Sequence, residues 1–209
     1  MNPSIPIGRA IVDEAVNPWT TRSTELRYEN AWVSVRHDEV IDPSGRRGVY
    51  GVVSPKSFAV GVLPVFDDGT VLLVGQFRYA LSEYAWEMPE GGGAKDVAPL
   101  DSIRRELREE TGHEAEDWFH VCDMTLSNSV SDERATCWMA WGLRPLPDGA
   151  EPESTEDLAL WRLPFGELVD LVWSGSITDS MTVATVAKVE AMRLRNELPS
   201  GAAQRLSVQ

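Results

Sequence analysis

The segment from Pro99 to Gly112 constrains the fold most, because its apolar residues recur at helical spacing while the neighbouring segments alternate as strands do. Leu100, Ile103 and Leu107 form one apolar stripe of the predicted helix. The proline suits its first turn, and the glycine suits the left-handed residue that commonly ends a helix. Strands are predicted on both sides of this helix, and further helices close the chain. The pattern predicts an α/β fold with helices packed on both sides of a mixed sheet.

Two hairpins are predicted before this helix. The segments AWVSVRHDEVID and VYGVVS flank one turn, and FAVGVLPVF and TVLLVGQF flank the turn DDG. The first hairpin supplies two strands to a β-rich arm over residues 1–55, which has little core of its own. A main domain is predicted over 56–197, with closing helices near 165–173 and 180–197. Residues 198–209 are predicted to form a flexible tail.

The charge of the chain excludes some classes of partner. Nineteen Lys and Arg against 33 Asp and Glu give a net charge of -14, which argues against binding to nucleic acid or to an anionic membrane. The N-terminal residues lack a basic segment followed by an apolar run, so neither export nor a membrane span is predicted. The two cysteines form no CxxC motif, and a reducing, cytoplasmic setting is therefore expected.

Three glutamates crowd one side of the predicted helix. Glu106, Glu109 and Glu110 lie about 5–6 Å apart at Cβ, and the row runs from half-buried Glu110 to exposed Glu109. Neighbouring carboxylates repel one another unless a cation lies among them. Oxygen ligands alone favour a hard cation such as Mg²⁺ or Mn²⁺. The alternative is a solvated acidic face whose charges are paired with the three arginines of the same segment.

The acidic helix belongs to a longer motif. The run GGGAKDVAPLDSIRRELREETGH resembles the Nudix box, G-x5-E-x7-R-E-U-x-E-E-x-G-U, in which U is bulky and apolar. Gly91 takes the first position, Arg105 begins the R-E-U triplet, and Gly112 takes the last glycine without a gap. The chain is thus similar to the Nudix family. This resemblance implies a Nudix-type α/β/α sandwich with a mixed sheet, preceded by the N-terminal β-rich arm.

Two positions of the box differ from the family pattern. Val97 stands where the box has its first glutamate, and His113 stands where it ends in an apolar residue. In the family the first glutamate supports the loop and the box arginine, whereas the other three glutamates bind metal. Asp96 and Glu90 are the candidates to replace it.

Segments outside the box point to a subfamily. VGQFRYALSEYAWEMPEGG, SNSVSDERATCWMAWGL and SGSITDSMTVATV resemble the corresponding parts of ADP-ribose and sugar-nucleotide pyrophosphatases. The resemblance implies hydrolysis of a nucleotide sugar to a nucleoside monophosphate and a sugar phosphate, in a homodimer whose N-terminal strands pack on the partner. The alternative is a degenerate Nudix domain that binds or senses nucleotide sugars without cleaving them. The sequence leaves the identity of the sugar open.

The resemblance also assigns residues to the site. It implies ligands for Mg²⁺ or Mn²⁺ from the Glu90 backbone carbonyl and three carboxylates, those of Glu106, Glu109 and Glu110. It implies a catalytic set of Arg105, Glu109, Glu110 and the loop acid Glu156. It implies substrate-binding roles for Arg78, Glu87 and Trp32. For Arg78 the alternative is a surface salt bridge, and for Trp32 it is a place in the core.

The water-activating acid is expected in the loop PLPDGAEPESTED. Glu156 is adjacent to the predicted strand LALWRL, which should anchor its backbone. Glu151 and Glu153 are rivals, but they flank Pro152 in a segment where no tether is expected. Glu156 is therefore the predicted base, and the alternative is a solvated acidic loop without a catalytic role.

Overall fold

The computed structural model describes residues 16–151 and 157–207. The strands in this part of the chain are β1 (Thr20–Glu29), β2 (Val33–Ile41), β3 (Arg47–Pro55), β4 (Ser57–Val65), β5 (Thr70–Arg78), β6 (Glu83–Glu87), β7 (Glu90–Ala94), β8 (His113–Glu114), β9 (Asp117–Thr125), β10 (Arg134–Trp141), β11 (Arg144–Pro145) and β12 (Ala159–Pro164). The helices are α1 (Pro99–Thr111), α2 (Phe165–Trp173), α3 (Ser180–Leu194) and α4 (Ser200–Leu206).

The N-terminal arm is an antiparallel sheet of three strands in the order β1–β2–β3. The predicted hairpin of β2 and β3 is confirmed, with Val33 opposite Pro55 and Ile41 opposite Arg47. The prediction of only two strands in the arm is wrong, because β1 pairs along β2. Every residue of β1 is exposed in the single chain, so its polar sequence lacked the apolar alternation that predicts a strand.

The main sheet is mixed and has the order β12–β5–β4–β10–β9. The strands β4 and β10 are parallel, and the other neighbours are antiparallel. The second predicted hairpin is largely wrong, since β4 and β5 pair only at Val65 and Val71. Beyond that point β4 pairs with β7 and β5 pairs with β6. This divergence lets β7 pair with β4 and lie beside helix α1.

Helices cover both faces of the main sheet, which confirms the predicted α/β/α layers. On one face, Ile103 and Leu107 of α1 pack on Val60 and Val62 of β4. The larger core on the other face includes buried side chains from α2, α3 and α4. No helix in the described part of the chain is long and apolar enough to cross a membrane.

The predicted flexible tail over 198–209 is wrong for the described residues 198–207. Helix α4 forms there and buries Ala202 and Leu206 in the core. The backbone of Gly201 lies so close to Trp141 that a Cβ would be 2.7 Å from its indole nitrogen. Small residues let this helix approach the sheet, and its composition therefore carries little apolar signal.

Candidate active site

Helix α1 presents the three glutamates predicted to share one side. Glu110 is 2% exposed and Glu106 is 6% exposed, whereas the side chain of Glu109 is 33% exposed. The predicted order of burial is confirmed, although the first two are buried more deeply than expected. The helix ends at Gly112, whose φ of 67° lies in the left-handed region, and its amide donates to the Arg108 carbonyl.

Strand β7 lies against this acidic side because Gly91 has no side chain. A Cβ on this glycine would lie 2.3 Å from Oε1 of Glu106, so the carboxylate occupies the space above the strand. The Glu90 amide donates to Oε2 of Glu110 at 3.0 Å. Two of the three carboxylates are thus held beside the main chain of residues 90 and 91.

Arg105 binds two of the three glutamates of the acidic row. Its guanidinium donates to Glu106 Oε1 at 2.6 Å, to Glu109 Oε2 at 2.5 Å and to the Gly92 carbonyl at 3.0 Å. The exposed Val97 has no carboxylate to offer this arginine. Within the described residues, the hydrogen bonds of Arg105 go to these three partners, and neither Asp96 nor Glu90 replaces the first glutamate of the motif in that role.

A second charged group lies on the other side of Glu90. Arg78 donates to Glu87 at 2.5 Å and to Glu90 at 2.9 Å, and Gln76 donates to Glu87 at 2.8 Å. Arg78 therefore forms the salt bridge that was the alternative to phosphate binding, but its partners are mostly buried while its own side chain is 37% exposed. Among the described residues, Glu87, Glu90 and Asp179 are the one group of three acidic side chains that can each offer one oxygen within 4.8 Å of the other two.

Burial dominates the electrostatics of this second group. Burial, together with the charges of Asp179 and Glu87, raises the pKa of Glu90 well above its usual range. Burial also raises the pKa of Glu87, although the neighbouring guanidinium opposes the shift. For Arg78, burial lowers the pKa, but the charges of Glu87 and Glu90 outweigh it and the net pKa is raised. The guanidinium is therefore firmly held among carboxylates.

The donor set fits a hard divalent cation. The buried carboxylates of Glu106 and Glu110 and the partly exposed carboxylate of Glu109 all lie on helix α1. Strand β7 can approach this helix closely because residue 91 is a glycine. All these donors are oxygens, which Mg²⁺ and Mn²⁺ prefer. The oxygens of Glu106, Glu109 and Glu110 do not form a group within 4.8 Å, because Arg105 lies between the first two and Glu110 turns to the Glu90 amide.

The acidic loop is described up to Glu151. The Glu151 amide donates to the carbonyl of Glu109 at 2.9 Å, so the expectation that this residue lies in an untethered segment is wrong. The other two candidate bases, Glu153 and Glu156, lie outside the described residues. A cavity of about 490 Å³ separates this loop from α1, and its lining includes Arg105, Glu109 and Glu151. Glu151 and Glu109 therefore line the same cavity.

Trp32 lies between β1 and β2 and is 76% exposed in the single chain. The alternative of a core tryptophan is therefore wrong. Its carbonyl accepts from the Lys56 amide at 2.8 Å, which fixes its backbone at the junction of the arm and the main domain. A large exposed aromatic residue at this junction is available to a ligand or to a second chain.

Residues of α3 complete the site and were not predicted from sequence. Asp179 accepts from the Thr182 amide at 2.7 Å and so caps the helix, while its carboxylate faces Glu87 and Glu90. A second cavity, of about 560 Å³, opens between this helix start and Arg78. The segment TDSMT carries the signal of a capped helix start, but nothing local shows that the cap faces the site.

Comparisons with known proteins agree with this geometry. A family model described as "NUDIX domain" matches residues 55–173, and one described as "Nucleoside diphosphate sugar hydrolase N-terminal domain" matches residues 19–53. A solved structure described as "ADP compounds hydrolase" superposes with a TM-score of 0.77 at 20% identity, covering 88% of this chain and 100% of that one. At this identity the similarity establishes the fold alone.

Three curated relatives align over most of the chain. ADP-ribose pyrophosphatase of Mycobacterium tuberculosis (strain ATCC 25618 / H37Rv) is 30% identical, over 85% of this chain and 86% of the relative. ADP-ribose pyrophosphatase of Bacillus subtilis (strain 168) and the methanol dehydrogenase activator of Bacillus methanolicus are each 28% identical, over 79% of this chain and 89% of the relative.

Proposed function

Because this chain belongs to the Nudix family and is a pyrophosphohydrolase, we propose that its substrate is ADP-ribose or a closely related nucleotide sugar. Hydrolysis of the pyrophosphate bond then yields a nucleoside monophosphate and a sugar phosphate. Two curated relatives bear the name ADP-ribose pyrophosphatase, and this supports the choice of substrate. The observation that carries the proposal is the buried pair Glu106 and Glu110 beside the main chain of Glu90.

The proposed cofactor is Mg²⁺ or Mn²⁺. Its ligands would be the carboxylates of Glu106, Glu109 and Glu110 and the backbone carbonyl of Glu90. A bound divalent cation would screen the charge of the pyrophosphate and lower the pKa of a coordinated water toward neutrality. The protein would supply these oxygens from helix α1 and from strand β7, which is paired with β4.

Arg105 and the loop acid have proposed catalytic roles around this set. Arg105 holds Glu106 and Glu109 by two short ion pairs, so it fixes the spacing of the acidic row before substrate enters. A loop acid, for which Glu156 is the candidate, would accept the proton of the attacking water. Glu151 is the described rival, since its amide is tied to α1.

Substrate binding is assigned to residues on either side of the acidic row. Arg78 has donors near the 560 Å³ cavity, but Glu87 and Glu90 already accept hydrogen bonds from it. Glu87 therefore acts on substrate mainly by orienting this arginine. The exposed ring of Trp32 suits stacking on a nucleobase.

A homodimer is proposed because the arm exposes apolar side chains. Trp32, Leu26, Tyr28 and Val49 are all exposed in the single chain. Light scattering should give twice the chain mass of 23.1 kDa. A monomer at micromolar concentration would exclude a cross-subunit role for Trp32.

The thiols of Cys122 and Cys137 are free, which supports a reducing, cytoplasmic compartment.

A panel of nucleotide sugars tests the substrate assignment. Each candidate, including ADP-ribose and GDP-mannose, is incubated with the protein and Mg²⁺, and phosphate is measured after alkaline phosphatase is added. We expect ADP-ribose to have the highest kcat/KM. A panel in which no nucleotide sugar is hydrolysed would refute the proposed function.

A second candidate function is binding without cleavage. Val97 favours it, because this exposed apolar residue replaces the glutamate that supports the box arginine in the family. The same panel discriminates the two functions. Tight binding of ADP-ribose without turnover, measured by calorimetry, would establish the sensor.

A further inference from the structure

A buried hydrogen bond connects α3 to the acidic site across 94 residues of sequence. The amide of Met88 donates to Oγ1 of Thr182 at 2.9 Å, and both residues are fully buried. The Thr182 amide in turn donates to the Asp179 carboxylate at 2.7 Å. The Thr182 backbone is therefore fixed at the start of the helix, and its hydroxyl is separated from that backbone by one stiff side-chain torsion.

The bond belongs to a series that fixes three consecutive residues, each through a different element. Met88 is held by α3, the Pro89 carbonyl accepts from the Val62 amide of β4 at 2.9 Å, and the Glu90 amide donates to Glu110 of α1 at 3.0 Å. Together these contacts hold the two residues before Glu90 and its own amide, and so they set the direction in which the chain enters the peptide that carries the Glu90 carbonyl. Without the first contact, the segment can rotate about Met88 while the other two bonds adjust.

Valine at position 182 would remove the hydroxyl with little change in packing. It has the shape of threonine and would occupy the space of this fully buried side chain. Valine leaves the buried Met88 amide without its acceptor, and an unsatisfied buried donor costs about 1–3 kcal/mol. The backbone then gains from moving toward another acceptor, and this movement displaces Glu90.

We propose that Thr182 is a positioning residue for the divalent-cation site. Through the Met88 amide it holds the backbone that presents the Glu90 carbonyl, and so it sets the affinity of the site for the cation. The inference rests on the proposed function, because it takes that carbonyl as a metal ligand. Outer contacts of this kind typically change metal affinity by about 10–100-fold when removed.

Mn²⁺ binding to the substrate-free protein tests the role directly. The dissociation constant is measured by electron paramagnetic resonance of free Mn²⁺ for wild type, Thr182→Val, Thr182→Ser and Thr185→Val. Thr185 is the matched control, because it is also fully buried and lies on the same helix one turn further on. We expect Thr182→Val to weaken Mn²⁺ binding at least tenfold. Thr182→Ser, which keeps the hydroxyl, and Thr185→Val should stay within about twofold of wild type.

Turnover of ADP-ribose provides the second readout. For Thr182→Val we expect a reduced kcat at limiting Mn²⁺ that recovers as Mn²⁺ is raised, with KM for ADP-ribose nearly unchanged. If Thr182→Val does not fold, Thr182→Ala removes the same hydroxyl with less bulk and carries the same expectation. A lower melting temperature with unchanged Mn²⁺ affinity would overturn the positioning role. A wild-type protein that binds no Mn²⁺ would instead refute the proposed function itself.

Discussion

Adding one methyl group at Gly91 should affect activity and stability differently, because Gly91 lies in close contact with Glu106. In Gly91→Ala the new Cβ would lie 2.3 Å from Oε1 of Glu106. Ordinary contact begins at 3.4 Å, so the carboxylate has to move by about 1.1 Å. The obstacle is the far end of a flexible side chain, and the backbone does not have to move.

We therefore expect catalysis to change far more than stability. The free energy of unfolding should change by less than about 1 kcal/mol, because alanine reduces the entropy of the unfolded chain while one side chain repacks. The kcat for ADP-ribose should fall by roughly 10²-fold, since a displacement of about 1 Å in a catalytic set has an effect of that size. Unfolding is followed in urea, and turnover is followed by nucleoside monophosphate release.

Gly92→Ala is the matched control in the same strand. Its Cβ would meet only Oγ of Ser57 at 3.0 Å and Cβ of Ser57 at 3.3 Å, on the opposite face of β7 from Glu106. We expect kcat within about fivefold of wild type. The reasoning would be refuted if Gly91→Ala were as active as Gly92→Ala, or if its activity loss merely followed a loss of stability.

Three further predictions concern other charged residues. Arg78→Met should lower the free energy of unfolding, measured in urea, by about 2 kcal/mol. This is less than the loss expected for a fully buried ion pair, because the arginine is 37% exposed. An unchanged free energy of unfolding would mean that its carboxylate partners do not need the arginine. A neighbouring guanidinium lowers the pKa of Asp38, so its charge stabilises the fold above the usual carboxyl range and less as pH falls through the lowered pKa. The difference in stability between wild type and Asp38→Asn should accordingly shrink below about pH 4, and a constant difference would contradict this. Glu156→Gln should lower kcat by about 10²-fold with KM unchanged. Glu151→Gln and Glu153→Gln should each lower kcat by less than tenfold. If Glu151→Gln instead shows the large loss, the catalytic base is Glu151, whose amide is hydrogen-bonded to α1.

The sequence predicted the elements whose signals are local. Helix α1 begins at a proline and ends at a left-handed glycine, and its apolar stripe has the helical period, so its limits were predicted correctly. The box glutamates lie within five positions of that helix, so their common side followed from geometry. Strand β1 was missed because it exposes both faces in the single chain, and α4 was missed because it packs through small residues.

Contacts between distant segments could not be predicted in the same way. The divergence of β4 from β5 depends on β7, which pairs with β4 through a glycine-rich segment that has no strand-like alternation. Asp179 and Thr182 reach the site from nearly a hundred residues away, and their local pattern indicates only a capped helix. The pairing of Arg78 with two mostly buried acids likewise depends on which strands meet, since the arginine and its partners lie on different strands.

Hydrolysis of ADP-ribose during a Mg²⁺ titration tests the central claim most directly. The protein is first treated with EDTA, and AMP and ribose 5-phosphate are then measured as Mg²⁺ is added back, for wild type, Glu109→Gln and Glu110→Gln. We expect no turnover in EDTA, full recovery of wild type with Mg²⁺, and a kcat reduced by roughly 10²–10⁴-fold in each variant. Full turnover in the presence of chelator, or variants as active as wild type, would contradict a metal-dependent pyrophosphohydrolase built on these glutamates.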